Sequence, residues 1–294
     1  MRTLRLGLAL GAGGTKGAAH VGVMKVLEEN GIHAEVVAGT SIGSLYGAAY
    51  AAGRSPREME EGIRTCPHRD VIAFFRHRLK IRHNNRLARR FYEALAGLQI
   101  ERLPVAYAAT ASDIVDRCPV VIDHGPVIDA VEASIAIPFI ARPVAHQGRY
   151  LLDGGFWESA PVDAAHHLGA DVVVAVELGD PYTLPVPLHR PAAWVAERFR
   201  NLPLERTLAG LPFTVHAVTR EITPGRTADL VIRPQMRHVS GNSPFGMTRC
   251  LDAGIEAARA ALPALKAILA GEPAPEVARE FTPARPRFAL GSDI

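Results

Sequence analysis

The sequence predicts a three-layer α/β/α fold around a mostly parallel central sheet. Residues 4–10, 36–38 and 172–178 are short, largely apolar runs that read as strands buried on both faces. Segments with helical spacing of apolar residues alternate with them, the pattern of parallel strands joined by crossover helices. The chain has 294 residues, 48% hydrophobic and 21% charged, enough to bury one substantial core.

The elements follow in order. Residues 4–10 form the first strand and end at Gly11. After a glycine turn, Ala18, Val21, Val23, Met24, Val26 and Leu27 populate a helix that stops near Asn30 and Gly31, where glycine can take the left-handed cap. A second strand at 36–38 leads through Gly39-Thr40-Ser41-Ile42-Gly43 into a small-residue helix over 44–52. Residues 55–98 are mostly helical in pattern, with a basic insert at 71–98. Strands at 105–111 and 120–122 precede a helix over 127–136. Two more strands, 141–145 and 150–152, lead to Asp153-Gly154-Gly155. A helix over 160–168 and a buried strand over 172–178 come next. The stretch 180–204 is rich in proline and irregular, a loop able to act as a lid. Leu230-Val231-Ile232 is a late strand, and residues 250–269 form an alanine-rich helix interrupted at Pro263. One domain over 1–271 is expected, with 272–294 as a loosely held Pro/Arg-rich tail.

Composition excludes some functions. A net charge of +3 is too mild to argue for a nucleic-acid partner. Between Arg76 and Arg90 the chain reads RHRLKIRHNNRLARR, a cationic run suited to anionic lipid headgroups or to a solvated helix face. Three widely spaced cysteines, with no C-x-x-C pair, suggest neither zinc nor a disulfide framework. The N-terminal apolar stretch runs straight into the glycine turn and reads as structure, not as a cleaved leader. No apolar run reaches about 18 residues, so no membrane span is expected. The expected location is cytoplasmic, with peripheral contact at the inner membrane surface. Oligomeric state is left open.

Gly39-Thr40-Ser41-Ile42-Gly43 matches G-x-S-x-G between a strand and a helix. A sharp turn there strains the serine backbone, so small residues must flank it, and the following helix aims its positive end at the hydroxyl. The earlier turn, Gly11-Ala12-Gly13-Gly14-Thr15-Lys16-Gly17, has three readings. As a dinucleotide loop its spacing is one residue too long, and no acidic residue ends the second strand. As a phosphate loop it lacks G-K-[ST]. As an anion-binding nest it offers consecutive N–H groups at a helix start, which also accounts for the serine turn. A nucleophilic serine needs a base: His216 and His238 stand late in the chain, while Asp153 ends a strand beside two glycines that permit close approach.

These segments, together with Ala133-Ser134-Ile135-Ala136-Ile137-Pro138 ahead of the aspartate strand, resemble in order and spacing the motifs of the patatin-like phospholipase family, closest to its bacterial branch. The resemblance covers roughly residues 4–180. It implies a patatin-like fold and a lipid acyl hydrolase, of phospholipase A or lysophospholipase type, working through a Ser–Asp dyad and an acyl-enzyme. Ser41 would be the nucleophile and Asp153 its base, with the N–H groups of Gly13 and Gly14 as oxyanion donors. Gly11, Ala12, Lys16, Gly17, Gly39, Gly43, Gly154 and Gly155 would support them. Ala12 departs from the glycine common in relatives, which puts a donor role for its N–H in doubt. No cofactor or metal is expected. The alternatives are a non-lipid carboxylesterase or thioesterase with a Ser–His–Asp triad, and a catalytically silent protein that binds lipid or an anion.

Overall fold

The structure, a computed structural model, describes residues 4–76, 81, 86–116, 118–137, 141–146, 149–156, 159–179, 218–221, 225–236, 239 and 245–272. The elements in order are β1 (Leu6–Leu10), α1 (Ala18–Glu29), β2 (Val36–Thr40), α2 (Ile42–Ala51), α3 (Pro56–Arg64), α4 (His68–Arg76) and α5 (Arg86–Leu95). They continue with β3 (Ala106–Asp113), β4 (Cys118–His124), α6 (Val127–Ser134), β5 (Val144–His146), β6 (Arg149–Asp153) and α7 (Val162–His167). β7 (Val172–Val176), β8 (Val218–Glu221), β9 (Leu230–Ile232) and α8 (Met247–Leu269) complete the set.

Every residue of β1, β2 and β7 is buried, because helices cover both faces of the sheet. Alternation divides their side chains between two cores. Leu6, Leu8, Leu10, Val37, Val174 and Val176 point into the larger one, which α1, α2, α6 and α8 close. Ala9, Val36, Ala38, Val173 and Ala175 face the other, where Val162, Ala164 and Ala165 of α7 pack on small residues. Each fully buried leucine or valine contributes roughly 1.5–3 kcal/mol, so the layered core supplies most of the stability.

Strands β9, β7, β1, β2 and β3 lie side by side and parallel. β4 runs antiparallel along the outer edge of β3, and β8 pairs with β4. The inner edge of β3 is shared: β2 pairs with residues 106–110, and antiparallel β6 takes over at residues 111–113. The C-terminal ends of β2 and β6 therefore meet head-on along one strand. That junction positions the site.

Two sequence expectations are corrected and one strand is added. Helix α8 is continuous through Pro263. Proline there leaves the carbonyl of Arg259 without its helical donor, but both residues are exposed and water can take that place. β8 was not foreseen, because Val-Thr-Arg-Glu carries no apolar run. The strand expected at 141–145 begins only at Val144. The proline-rich loop 180–204, the tail from 273 and most of the cationic run (77–80 and 82–85) lie outside the described residues.

Candidate active site

β2 ends at Thr40, and the backbone turns sharply at Ser41 with φ 55° and ψ −123° before α2 begins at Ile42. Among the described non-glycine residues, Ser41 is the one with positive φ. Such a conformation costs of order 1–3 kcal/mol and persists only where neighbours hold it. Here they do. The Ser41 N–H donates to Ser134 Oγ at 2.9 Å, and the Ser41 carbonyl accepts from the Ser44 N–H at 2.9 Å and the Ser44 hydroxyl at 2.6 Å. Gly43 has to be glycine, since a methyl there would run into the Leu10 carbonyl. Gly39 lies on the other side of the turn, against the backbone of Ser44.

The partner of Ser41 comes from the head-on junction. On β3, Thr110 faces Thr40 and the next residue, Ala111, faces Asp153. Successive positions of one strand thus place the serine turn beside the end of β6. Ser41 Oγ donates to Asp153 Oδ2 at 2.5 Å, across 112 residues of sequence. Asp153 is 1% exposed and Ser41 5% exposed. The second carboxylate oxygen, Oδ1, accepts from the Gly155 N–H at 2.8 Å, which fixes the plane of the group. Gly154 lets the chain pass the Thr110 carbonyl, where a Cβ would sit 2.5 Å from the oxygen. The backbone of Asp153 is held at both ends: its N–H donates to Ala136 O at 3.0 Å and its carbonyl accepts from Ser112 Oγ at 2.9 Å.

Part of the glycine loop, Gly14 and Thr15, lines the same cleft as Ser41. Gly11 N–H donates to Val176 O at 3.0 Å, anchoring the loop to β7. Ala12 N–H donates to Ser159 O at 2.8 Å, so it is already engaged by the protein. Gly13 and Gly14 differ: no protein acceptor for their N–H groups is found among the described residues. Gly14 has φ 58° and lines the cleft with Thr15 and Ser41. Gly17 packs on Ile42, joining the loop to the serine turn. Lys16 lies toward α8, where its charge acts on Cys250, and it does not line the cleft.

Four residues, Ser134, Ala136, Thr110 and His20, were given no role from the sequence. Ser134, the last residue of α6, and Ala136, just beyond it, hold the amides of Ser41 and Asp153 respectively, so one short segment ties both residues. Thr110 Oγ1 lies 2.7 Å from Thr40 Oγ1, bracing the strand pair under the turn. His20, fully buried, has Nε2 at 2.8 Å from the Gly11 carbonyl, and among the described residues no partner is found for its Nδ1. Burial holds its pKa down to about 4, so the ring is neutral and its Nε2–H tethers the loop. Only the position of Ser134 in a recognised block could have drawn attention to it.

The cleft beside Ser41 is apolar. Ile42, Leu45, Val71, Phe74, Phe91 and Ile137 are among the residues that line it. Phe91 meets Tyr46 edge-on with ring centroids 6.3 Å apart and Phe74 at 6.2 Å. No histidine lines it among the described residues. His216 and His238 fall outside those residues.

A serine on a strained strand-to-helix turn, bonded to a buried carboxylate and sharing a cleft with Gly14, defines a nucleophile-elbow site on an α/β fold. A family model described as patatin-like phospholipase matches residues 8–166, more than half of the chain and the whole of this site. The chain belongs to the patatin-like phospholipase family. An uncharacterized NTE family protein of Mycobacterium bovis is 33% identical over 177 residues, covering 59% of this chain and 49% of its own. The chain thus spans about half the length of that relative. A lysophospholipase, nte1, of Aspergillus fumigatus is 33% identical over 181 residues, 59% of this chain and 12% of its own. Among solved structures, VipD from Legionella pneumophila aligns over 89% of this chain and 67% of its own, with a TM-score of 0.49 and 14% identity.

Proposed function

We propose that this chain is a serine hydrolase that cleaves carboxylic ester bonds of lipids, phospholipase A or lysophospholipase in type, through a Ser41–Asp153 dyad. The observation that carries the reading is the 2.5 Å hydrogen bond from Ser41 Oγ to Asp153 Oδ2 in a buried setting. In bulk water a carboxylate is a weak base for an alcohol. Here one oxygen of the buried carboxylate is fixed by the Gly155 N–H and the other is aimed at a single proton.

The steps balance without further groups. Ser41 Oγ attacks the ester carbonyl carbon as its proton passes to Asp153 Oδ2. The negative charge formed on the carbonyl oxygen is met by the N–H groups of Gly13 and Gly14, and a donor of this kind is worth roughly 2.7–4 kcal/mol. The C–O bond to the leaving alcohol breaks, and that oxygen takes the proton from Asp153. Water then attacks the acyl-enzyme, gives a proton to Asp153, and releases the fatty acid as Ser41 recovers its hydrogen.

An apolar cleft opening on Ser41 suits an acyl chain, and a relative named lysophospholipase supports a lipid substrate. α5 supports peripheral contact with an anionic membrane surface: Arg86, Arg89 and Arg90 are exposed, while Leu87 and Phe91 on its inner side line the cleft. A mass-spectrometric lipid screen tests the reading. Wild type should release fatty acid from at least one lipid class and Ser41→Ala from none; equal profiles would contradict it.

A further inference from the structure

Besides the Ser41 cleft, a second cavity lies between α2, α3 and α5. Its inner walls are Ala49, Met59, Ile63, Cys66 and Ala94, and charged side chains including Arg54, Glu58 and Glu93 stand around it. Tyr46, Leu87, Phe91 and Met247 line both spaces. They form a partition with the nucleophile on one side and the second cavity on the other. Leucine and methionine in such a wall can change rotamer at small cost, so the partition can part around a flexible aliphatic chain.

One residue of the second cavity has no structural reason to be what it is. Gly62 sits inside α3, where glycine costs about 1 kcal/mol of helix stability relative to alanine. Its φ is not positive, and a Cβ built on it meets nothing within 4 Å. Neither backbone conformation nor close packing demands the missing side chain. What the glycine does is leave the cavity open.

From these two observations, we propose that the second cavity is a distal acyl site. It receives the methyl end of a long, single aliphatic chain whose ester carbonyl lies at Ser41, so that chain length is selected at α3. The proposal rests on the hydrolase reading given above. Its ligand is an unbranched saturated or cis-unsaturated acyl chain, because the walls offer aliphatic and aromatic surface and the charged groups stand at the rim. Short acyl groups fill only the Ser41 cleft and do not sense Gly62.

The test uses p-nitrophenyl esters from butyrate to palmitate with wild type, Gly62→Ala and Gly62→Phe. Thermal unfolding checks that both variants fold, and Gly62→Ala should be at least as stable as wild type. The expected result is palmitate turnover by Gly62→Phe lowered about tenfold through a raised KM, with butyrate turnover unchanged, and Gly62→Ala close to wild type at both ends. If folded Gly62→Phe loses both esters equally, or neither, the distal site is overturned while the hydrolase reading stands. If wild type cleaves no ester of any length, the hydrolase reading itself fails.

Discussion

Ser134 Oγ accepts a hydrogen bond from the Ser41 N–H at 2.9 Å, across 93 residues of sequence. The bond satisfies a donor that the strained turn would leave buried and unpaired, and it fixes the direction of the hydroxyl. Ala136, two residues on, does the same for the amide of Asp153. The separation of nucleophile and base is therefore set by the C-terminal end of α6 and the residues just after it, as well as by β3.

Ser134→Ala should lower stability by about 1–3 kcal/mol, the usual penalty of an orphaned buried donor. It should also lower kcat by about tenfold with little change in KM, because the turn loses its hold on the hydroxyl while the cleft keeps its walls. Steady-state kinetics beside thermal unfolding check both, and Ser134→Thr, which keeps an acceptor, should recover part of kcat.

Asp153→Asn keeps the shape of the side chain and removes its basicity. Turnover should fall roughly 10²–10⁴-fold, the range of a positioned general base. His216→Ala and His238→Ala should retain near wild-type rates. The opposite pattern in the same assay would favour a triad.

The neutral, buried His20 gives stability a pH dependence. Its pKa is held near 4 in the folded chain against 6.5 when unfolded, so between those values the unfolded chain binds the extra proton. Above pH 6.5 the ring is neutral in both states and the contribution is flat. As pH falls from about 6.5 toward 4, wild type should lose about 1.4 kcal/mol per unit relative to His20→Asn, read from urea unfolding at a series of pH values.

The patterns that could be read beforehand were those set by local demand. Every residue of β1, β2 and β7 had to be apolar or small, and the serine turn needed Gly39 and Gly43 at fixed spacing, so each left a mark in the sequence. Pairings between distant segments left none. Nothing near Ser134 announces that its hydroxyl meets Ser41, and the pairing of Ser41 with Asp153 followed from family resemblance, not from spacing. Likewise Gly22 and Gly254 let α1 and α8 touch backbone to backbone, against Leu251 O and Ala19 O, but read as ordinary helix glycines. The rule that proline breaks a helix misled at Pro263 because solvent exposure softens its cost.

If α5 meets a membrane, Arg86→Ala combined with Arg89→Ala should weaken binding to vesicles containing anionic lipid several-fold and leave zwitterionic vesicles unaffected. The difference should vanish as ionic strength rises and shortens the screening length. Sedimentation of labelled vesicles measures it.

The account stands on an activated hydroxyl at residue 41. Intact-mass measurement after treatment with a fluorophosphonate probe examines it. Wild type should gain one phosphonyl group mapped to Ser41, Asp153→Asn should gain it far more slowly, and Ser41→Ala should gain none. Labelling that persists in Ser41→Ala, or that proceeds in Asp153→Asn at the wild-type rate, would contradict the dyad.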